Sequence, residues 1–295
     1  MRTARSVHPA LSAAPSRFSS PVDARSVLTS IATSQILPPA FVRTGRSQAI
    51  AAIVAHAGAG LPMPVLSLIA DAGLVLFAVD DLLDGSDVTV EEGSLRIAQY
   101  AAIARGEDCA EVAFDPIANA IADLRRRLAA TDRVGRLIDA WADAMGRMLA
   151  GMGDELRSGD GPAATNLQSY LESGRDSIGV EMIALTAWIA MDADATRWML
   201  PALLRAERRF STAVRLANDL RTYERECAEG RVNAVTIVGA EGRPLLHNLC
   251  DRALANGRIT LTRAGLARTP QGQFLERFAA AIVTMYVTRD FDQAA

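Results

Sequence analysis

From about Asp23 onward, apolar residues recur at the three- and four-residue spacing of helices rather than in the alternation of strands. Alanine, leucine and arginine, all strong helix formers, dominate this region. The pattern predicts helices over about 24–35, 46–58, 63–84, 91–104, 115–130, 132–157, 164–191, 201–229, 231–238, 242–256 and 270–290. Predicted breaks fall at Leu37-Pro38-Pro39, Gly58–Pro64, Gly85, Gly159–Pro162, Asp192–Asp194 and Gly230. No internal repeat or linker is visible, so residues 26–295 read as one all-α domain, a helical bundle or barrel. Residues 1–25, rich in Ser, Ala, Arg and Pro, carry no periodicity and read as a disordered tail; a transit peptide shares that composition.

One apolar stretch calls for a membrane check. Ser47–Ala70 has no charged residue if His56 is neutral, and it is long enough to span a bilayer. Its centre is Ala57-Gly58-Ala59-Gly60 followed by Pro62 and Pro64, which reads as two buried helices around a break. No stable membrane insertion is expected.

Composition narrows the chemistry. Half of the 295 residues are apolar, ample for a sizeable core. The 31 basic residues against 34 acidic leave no basic surplus, which argues against a nucleic-acid partner. Every basic residue is arginine. A P-loop lysine and a Schiff-base lysine are therefore excluded, and any phosphate clamp must use arginine, metal ions or backbone amides. Cys109, Cys227 and Cys250 are widely spaced, and His8, His56 and His247 are scattered. A zinc site and a disulfide framework are not expected, and the cytoplasm is the natural compartment.

The sharpest local signal is Asp80-Asp81-Leu82-Leu83-Asp84, closing an apolar run before Gly85. On a helix Asp80 and Asp84 share a face, about 6 Å apart along the axis, with Asp81 beside them. Three carboxylates at a helix C-terminus repel one another and oppose the macrodipole, so cations would stabilise them, and oxygen ligands suit Mg²⁺. A solvated acidic helix end would read the same way. A second signal, Asn218-Asp219-Leu220-Arg221-Thr222-Tyr223-Glu224-Arg225-Glu226, puts Asn218, Thr222 and Glu226 on one helical stripe. Amide, hydroxyl and carboxylate oxygens there could bracket one octahedral cation, with Arg225 beside them for an anion. An exposed helix laced with ion pairs is the other reading.

Taken together, the two signals resemble the class I terpene synthases, and the wording is closest to bacterial diterpene synthases. The family's motifs are DDxxD/E, matched by Asp80, Asp81 and Asp84, and (N/D)Dxx(S/T)xx(R/K)E, matched by Asn218, Asp219, Thr222, Arg225 and Glu226. The resemblance runs from about residue 40 to 290. It implies a single-domain α-helical barrel with a central apolar cavity. Three Mg²⁺ ions, with Mn²⁺ as an admissible substitute, would hold the substrate diphosphate: Asp80 and Asp84 on two of them, and Asn218, Thr222 and Glu226 on the third. Arg175 matches the diphosphate-sensing arginine and Gly179 the residue at the helix break that follows it; Ile178 stands where an acid is common. Glu229-Gly230-Arg231-Val232-Asn233 resembles the Gly/Asn segment after the second motif. Arg289-Asp290 stands where an Arg-Tyr pair is frequent, leaving Arg289 as a further diphosphate ligand. The implied reaction is metal-dependent ionisation of an allylic isoprenoid diphosphate, with Asp80, Asp81, Arg175, Gly179 and Arg225 as the catalytic set. The cation would then become a terpene hydrocarbon or alcohol. Relatives are often homodimers.

The Arg175-Asp176-Ser177-Ile178-Gly179 wording favours a C20 substrate, geranylgeranyl or copalyl-type diphosphate; farnesyl diphosphate is the alternative. Phe77, one turn before the aspartates, and Trp188 are candidates for the pocket wall, although both types usually pack cores. A chain-elongating prenyl transferase of the same fold would carry a second aspartate-rich motif and lysines, both missing here. A non-catalytic helical scaffold with solvated acidic clusters is the remaining alternative.

Overall fold

Capping residues set the helix starts. In the computed structural model, which describes residues 21–85, 88–107, 114–132, 134–157 and 166–291, Thr89 and Glu92 form a reciprocal capping box at one helix start. Asp115, Asn166, Asn233 and Thr269 each cap another through a side-chain oxygen. The resulting order is α1 Pro21–Thr33, α2 Thr44–Ala57, α3 Met63–Leu83, α4 Val90–Arg105, α5 Pro116–Ala129 and α6 Arg136–Arg157. It continues with α7 Leu167–Ser177, α8 Val180–Ala228, α9 Ala234–Val238, α10 Arg243–Arg263 and α11 Pro270–Thr288. Among the described residues there is no strand.

Most predicted breaks occur where expected, at Pro38-Pro39, Gly58–Pro62, Asp84-Gly85 and Gly230. The break at Gly159–Pro162 lies outside the described residues, as do residues 1–20 of the N-terminal segment; α1 begins at Pro21, inside the stretch read as tail. One expectation needs correction. The helix predicted over 164–191 is divided at Gly179, whose φ of +71° begins α8. The expected break at Asp192–Asp194 is present inside α8, which is two helices joined across a kink at Asp192. Asp192 is extended (φ −168°, ψ 97°), but its side chain caps the Ala195 N–H at 2.9 Å. The Thr196 hydroxyl donates to the Trp188 carbonyl across the kink at 3.0 Å, tying the two halves together.

The long α8 is the spine. It packs against α10 and α11 on one side and against α3, α6 and α7 on the other. Helix α3 is long and apolar enough to cross a membrane by length and composition alone, yet most of it is buried inside the protein. Its inner residues, from Leu66 to Val79, are part of the continuous apolar core. Residues Ser47–Ala70 are the α2–α3 turn and its flanks, so the sequence reading of two buried helices around a break holds.

Candidate active site

Helices α2, α3, α6, α7, α8 and α11 surround a cavity of about 540 Å³. Its lower walls are apolar, with Ile50, Ile53, Ile69, Ile183, Phe278 and Ile282 among them; its mouth is charged. Asp80 and Asp84 line the mouth from the end of α3, and Asn218, Arg225 and Glu226 line it from α8. The two stripes read from the sequence therefore share one opening.

The α8 stripe is held by neighbours on other elements. Asn218 Nδ2 donates to the Tyr286 hydroxyl at 3.0 Å. Thr222 is buried behind it and donates to the Asn218 carbonyl at 2.8 Å, a back-bond to the preceding turn. Glu226 Oε2 accepts from Asn233 Nδ2 at 2.7 Å, and the same amide donates to the Asp219 carbonyl at 2.9 Å. Asn233 also caps α9, so one fully buried side chain ties the last carboxylate of the stripe to the next helix. Beneath the stripe, Arg215 and Asp219 form a buried pair at 3.0 Å one turn apart. Arg215 also reaches Glu155 at 2.6 Å, Ser177 Oγ at 3.2 Å and the Tyr170 hydroxyl at 3.2 Å, joining α6, α7 and α8. Burial opposes its charge, but Asp219 and Glu155 hold its pKa well above the ordinary value.

The α3 side is built differently. Asp81 turns toward α2, where Arg46 meets it at 2.8 Å and Arg43 at 3.2 Å; it does not line the cavity. Asp84, largely exposed, pairs with Arg231 at 2.9 Å. Burial, and then the Asp84 carboxylate, push the Asp80 carboxyl up to about 7 against the pull of Arg46. A mouth that raises a carboxyl in this way favours a cation there.

The remaining predicted residues fall in three places. Gly179 lines the cavity, and a Cβ there would come within 2.7 Å of the Leu76 side chain, besides requiring the left-handed backbone. Phe77 also lines it, with the Arg46 guanidinium 4.5 Å from its ring centre, so one ring face already carries a cation. Arg175, Arg289 and Trp188 do not line it. Arg175 points toward Asp176 at 3.9 Å, in the field of the buried Glu207, whose carboxyl is raised to about 8, chiefly by burial. Arg289 ends α11 in an extended conformation, while its neighbour Asp290 pairs with Arg225 at 2.9 Å. Trp188 is fully buried and donates its indole N–H to the Gln271 carbonyl at 3.1 Å, a core role.

Sequence reasoning missed several lining residues. Arg215 was readable, since Arg215 and Asp219 stand four apart on the very helix of the second motif. Tyr286 and Phe291 flank Arg289, where an aromatic partner was sought at the adjoining position. Phe291 packs 4.7 Å from Phe77 and 5.8 Å from Tyr286, forming an aromatic strip at the mouth.

The donor set is all oxygen, as a hard divalent cation prefers. Among the described residues no three carboxylate, histidine or cysteine groups converge tightly enough to hold a metal by themselves. Of the stripe's predicted donors, Asn218 and Glu226 line the cavity and Thr222 does not.

The family model "Terpene synthase family 2, C-terminal metal binding" matches residues 71–243. No curated protein sequence matches. Among solved structures, linalool/nerolidol synthase from Streptomyces clavuligerus, in complex with 2-fluorogeranyl diphosphate, is 19% identical with a TM-score of 0.72, covering 94% of this chain and 97% of that one. The 2-methylisoborneol synthase from Streptomyces coelicolor A3(2), in complex with Mg²⁺ and 2-fluoroneryl diphosphate, is 18% identical with a TM-score of 0.74, covering 96% and 95%. Germacradien-4-ol synthase from Streptomyces citricolor is 21% identical with a TM-score of 0.62, covering 89% and 86%. All three share the all-α fold.

Proposed function

The chain belongs to the terpene synthase family, with a metal-binding domain, and from that premise we propose that it ionises an allylic isoprenoid diphosphate and converts the resulting cation to a terpene hydrocarbon or alcohol. The observation that carries the reading is the meeting of Asp80 and Asp84 with Asn218 and Glu226 around one cavity whose floor is apolar.

The residues divide the work by position. Asp80 with Asp84, and Asn218 with Thr222 and Glu226, are the groups to hold Mg²⁺, three ions by resemblance to the family. Bound there, the metal would supply Lewis-acid charge to the departing diphosphate. Arg225, at the mouth, is placed to add a guanidinium to that anion on leaving Asp290. Arg175, next to the cavity-lining Gly174, would have to turn inward to reach it, and Arg289 likewise. Asp81 acts through Arg43 and Arg46, which fix the end of α3. Below the mouth, isoleucine and phenylalanine side chains exclude water and hold the hydrocarbon folded. Phe291, Tyr286 and Phe77 line the mouth and offer π-electrons where positive charge first develops.

Two indications bear on chain length. The wording around Arg175 favours C20, whereas the geranyl and neryl analogues bound by two of the structural neighbours favour shorter substrates. Separate incubations with C10, C15 and C20 diphosphates, Mg²⁺ and gas chromatography of the extract test the function and the length together. The expected result is a terpene and free diphosphate from at least one substrate, in a metal-dependent manner. Release from none at saturating metal would leave the scaffold reading standing, and a longer diphosphate made with a C5 donor would replace the synthase by a prenyl transferase.

A further inference from the structure

One residue joins the two sides of the mouth directly. Gly230, with φ +71°, ends α8 and turns the chain, and the Arg231 N–H closes that turn on the Glu226 carbonyl at 2.8 Å. Two residues later Asn233 is buried and capped into α9. The backbone of Arg231 is thus anchored to the α8 side. Its guanidinium, however, crosses the opening to Asp84 Oδ2 at 2.9 Å, with Glu229 at 3.4 Å and Asp80 also within its field. Arg231 itself lines the cavity and keeps 43% of its side chain exposed, which leaves room for it to swing.

We propose that Arg231 is the internal counter-cation of the mouth, holding Asp84 until a divalent cation takes that carboxylate, and then passing to the substrate diphosphate. The inference rests on the terpene synthase reading above. Two cations cannot both claim Asp84 at full strength. A metal ion arriving at the carboxylates must compete with the guanidinium, and the displaced guanidinium then finds itself beside a multiply charged anion at the same opening. Arginine suits this transfer because its planar fork matches phosphate oxygens as well as it matches a carboxylate. The backbone need not move; only a long side chain pivots.

The test uses the full chain and needs no turnover. Mn²⁺ alone is titrated into the wild-type protein, R231Q and R231K by electron paramagnetic resonance. Inorganic diphosphate is then titrated calorimetrically at saturating Mg²⁺, with circular dichroism confirming the fold of each variant. R231Q is expected to bind Mn²⁺ severalfold more tightly, because its competitor for Asp84 is gone. It should bind diphosphate about tenfold more weakly, the loss of one charge-assisted contact. R231K should restore the competition with metal but only part of the diphosphate affinity. Unchanged affinities in R231Q, or tighter metal with undiminished diphosphate binding, would overturn the hand-over while leaving the enzyme reading intact. Failure of the wild-type protein itself to bind diphosphate with Mg²⁺ would overturn both.

Discussion

The two sides of the cavity mouth carry comparable oxygen donors but are stabilised by different physics. On α8, Asn218 and Glu226 each share a hydrogen bond with a buried or cavity-lining neighbour, Asn218 donating to Tyr286 and Glu226 accepting from Asn233, and the Arg215–Asp219 pair holds the turn beneath. On α3, the carboxylates stand at a helix C-terminus with no such cradle and are balanced by guanidinium groups from elsewhere, Arg43 and Arg46 on Asp81 and Arg231 on Asp84. Hydrogen bonds between buried groups have direction and fix a geometry in advance. Charge compensation at the exposed Asp84–Arg231 pair is loose and exchangeable, whereas Arg46 is buried against Asp81. The pairing gives a site with one preformed side and one that adjusts to its load.

The largest expected effects come from removing a donor on either side. Asp80→Ala and Glu226→Ala should each lower turnover by about a thousandfold or more, roughly 4 kcal/mol of transition-state stabilisation, with helical content unchanged by circular dichroism. Retained turnover in either variant removes that side from the chemistry. Next is Arg215→Met, which leaves the fully buried Asp219 facing no cation; chemical denaturation should show a loss of about 3–5 kcal/mol. A smaller effect is expected of Asn233→Ala. Freeing Glu226 should weaken metal binding about 10–100-fold, and the lost cap of α9 should cost about 1 kcal/mol. The smallest belongs to the α3 side: Arg43→Ala, at an exposed pair, should cost less than about 1 kcal/mol in the same denaturation assay. A loss equal to that of Arg215→Met would erase the distinction between a fixed side and an adjustable one.

Much of this was legible in the chain because it is local. Breaks at Pro38-Pro39, Gly85 and Gly230 follow from backbone chemistry at the residue itself, and both oxygen stripes follow from helical spacing. The break at Asp192 was legible in its Asp pair, but the bonds across it, from Asp192 to the next turn and from Thr196 back to Trp188, were not. Arg231 opposite Asp84, 147 residues away, is a tertiary fact with no local signal. Phe291 against Phe77 is another. Trp188 and Arg175 show the converse: spacing from Gly179 put Trp188 near the site and a family resemblance put Arg175 there, while in the fold Trp188 bonds to Gln271 and Arg175 sits in the field of Glu207.

The central claim is that both sides grip one metal-bound diphosphate. Calorimetric titration of inorganic diphosphate into the wild-type protein, Asp80→Ala and Glu226→Ala, with Mg²⁺ and then with excess chelator, tests it most directly. The account predicts binding by the wild-type protein that vanishes with the chelator and collapses when either carboxylate is removed. Binding that persists without metal, or that survives the loss of one side undiminished, would contradict it.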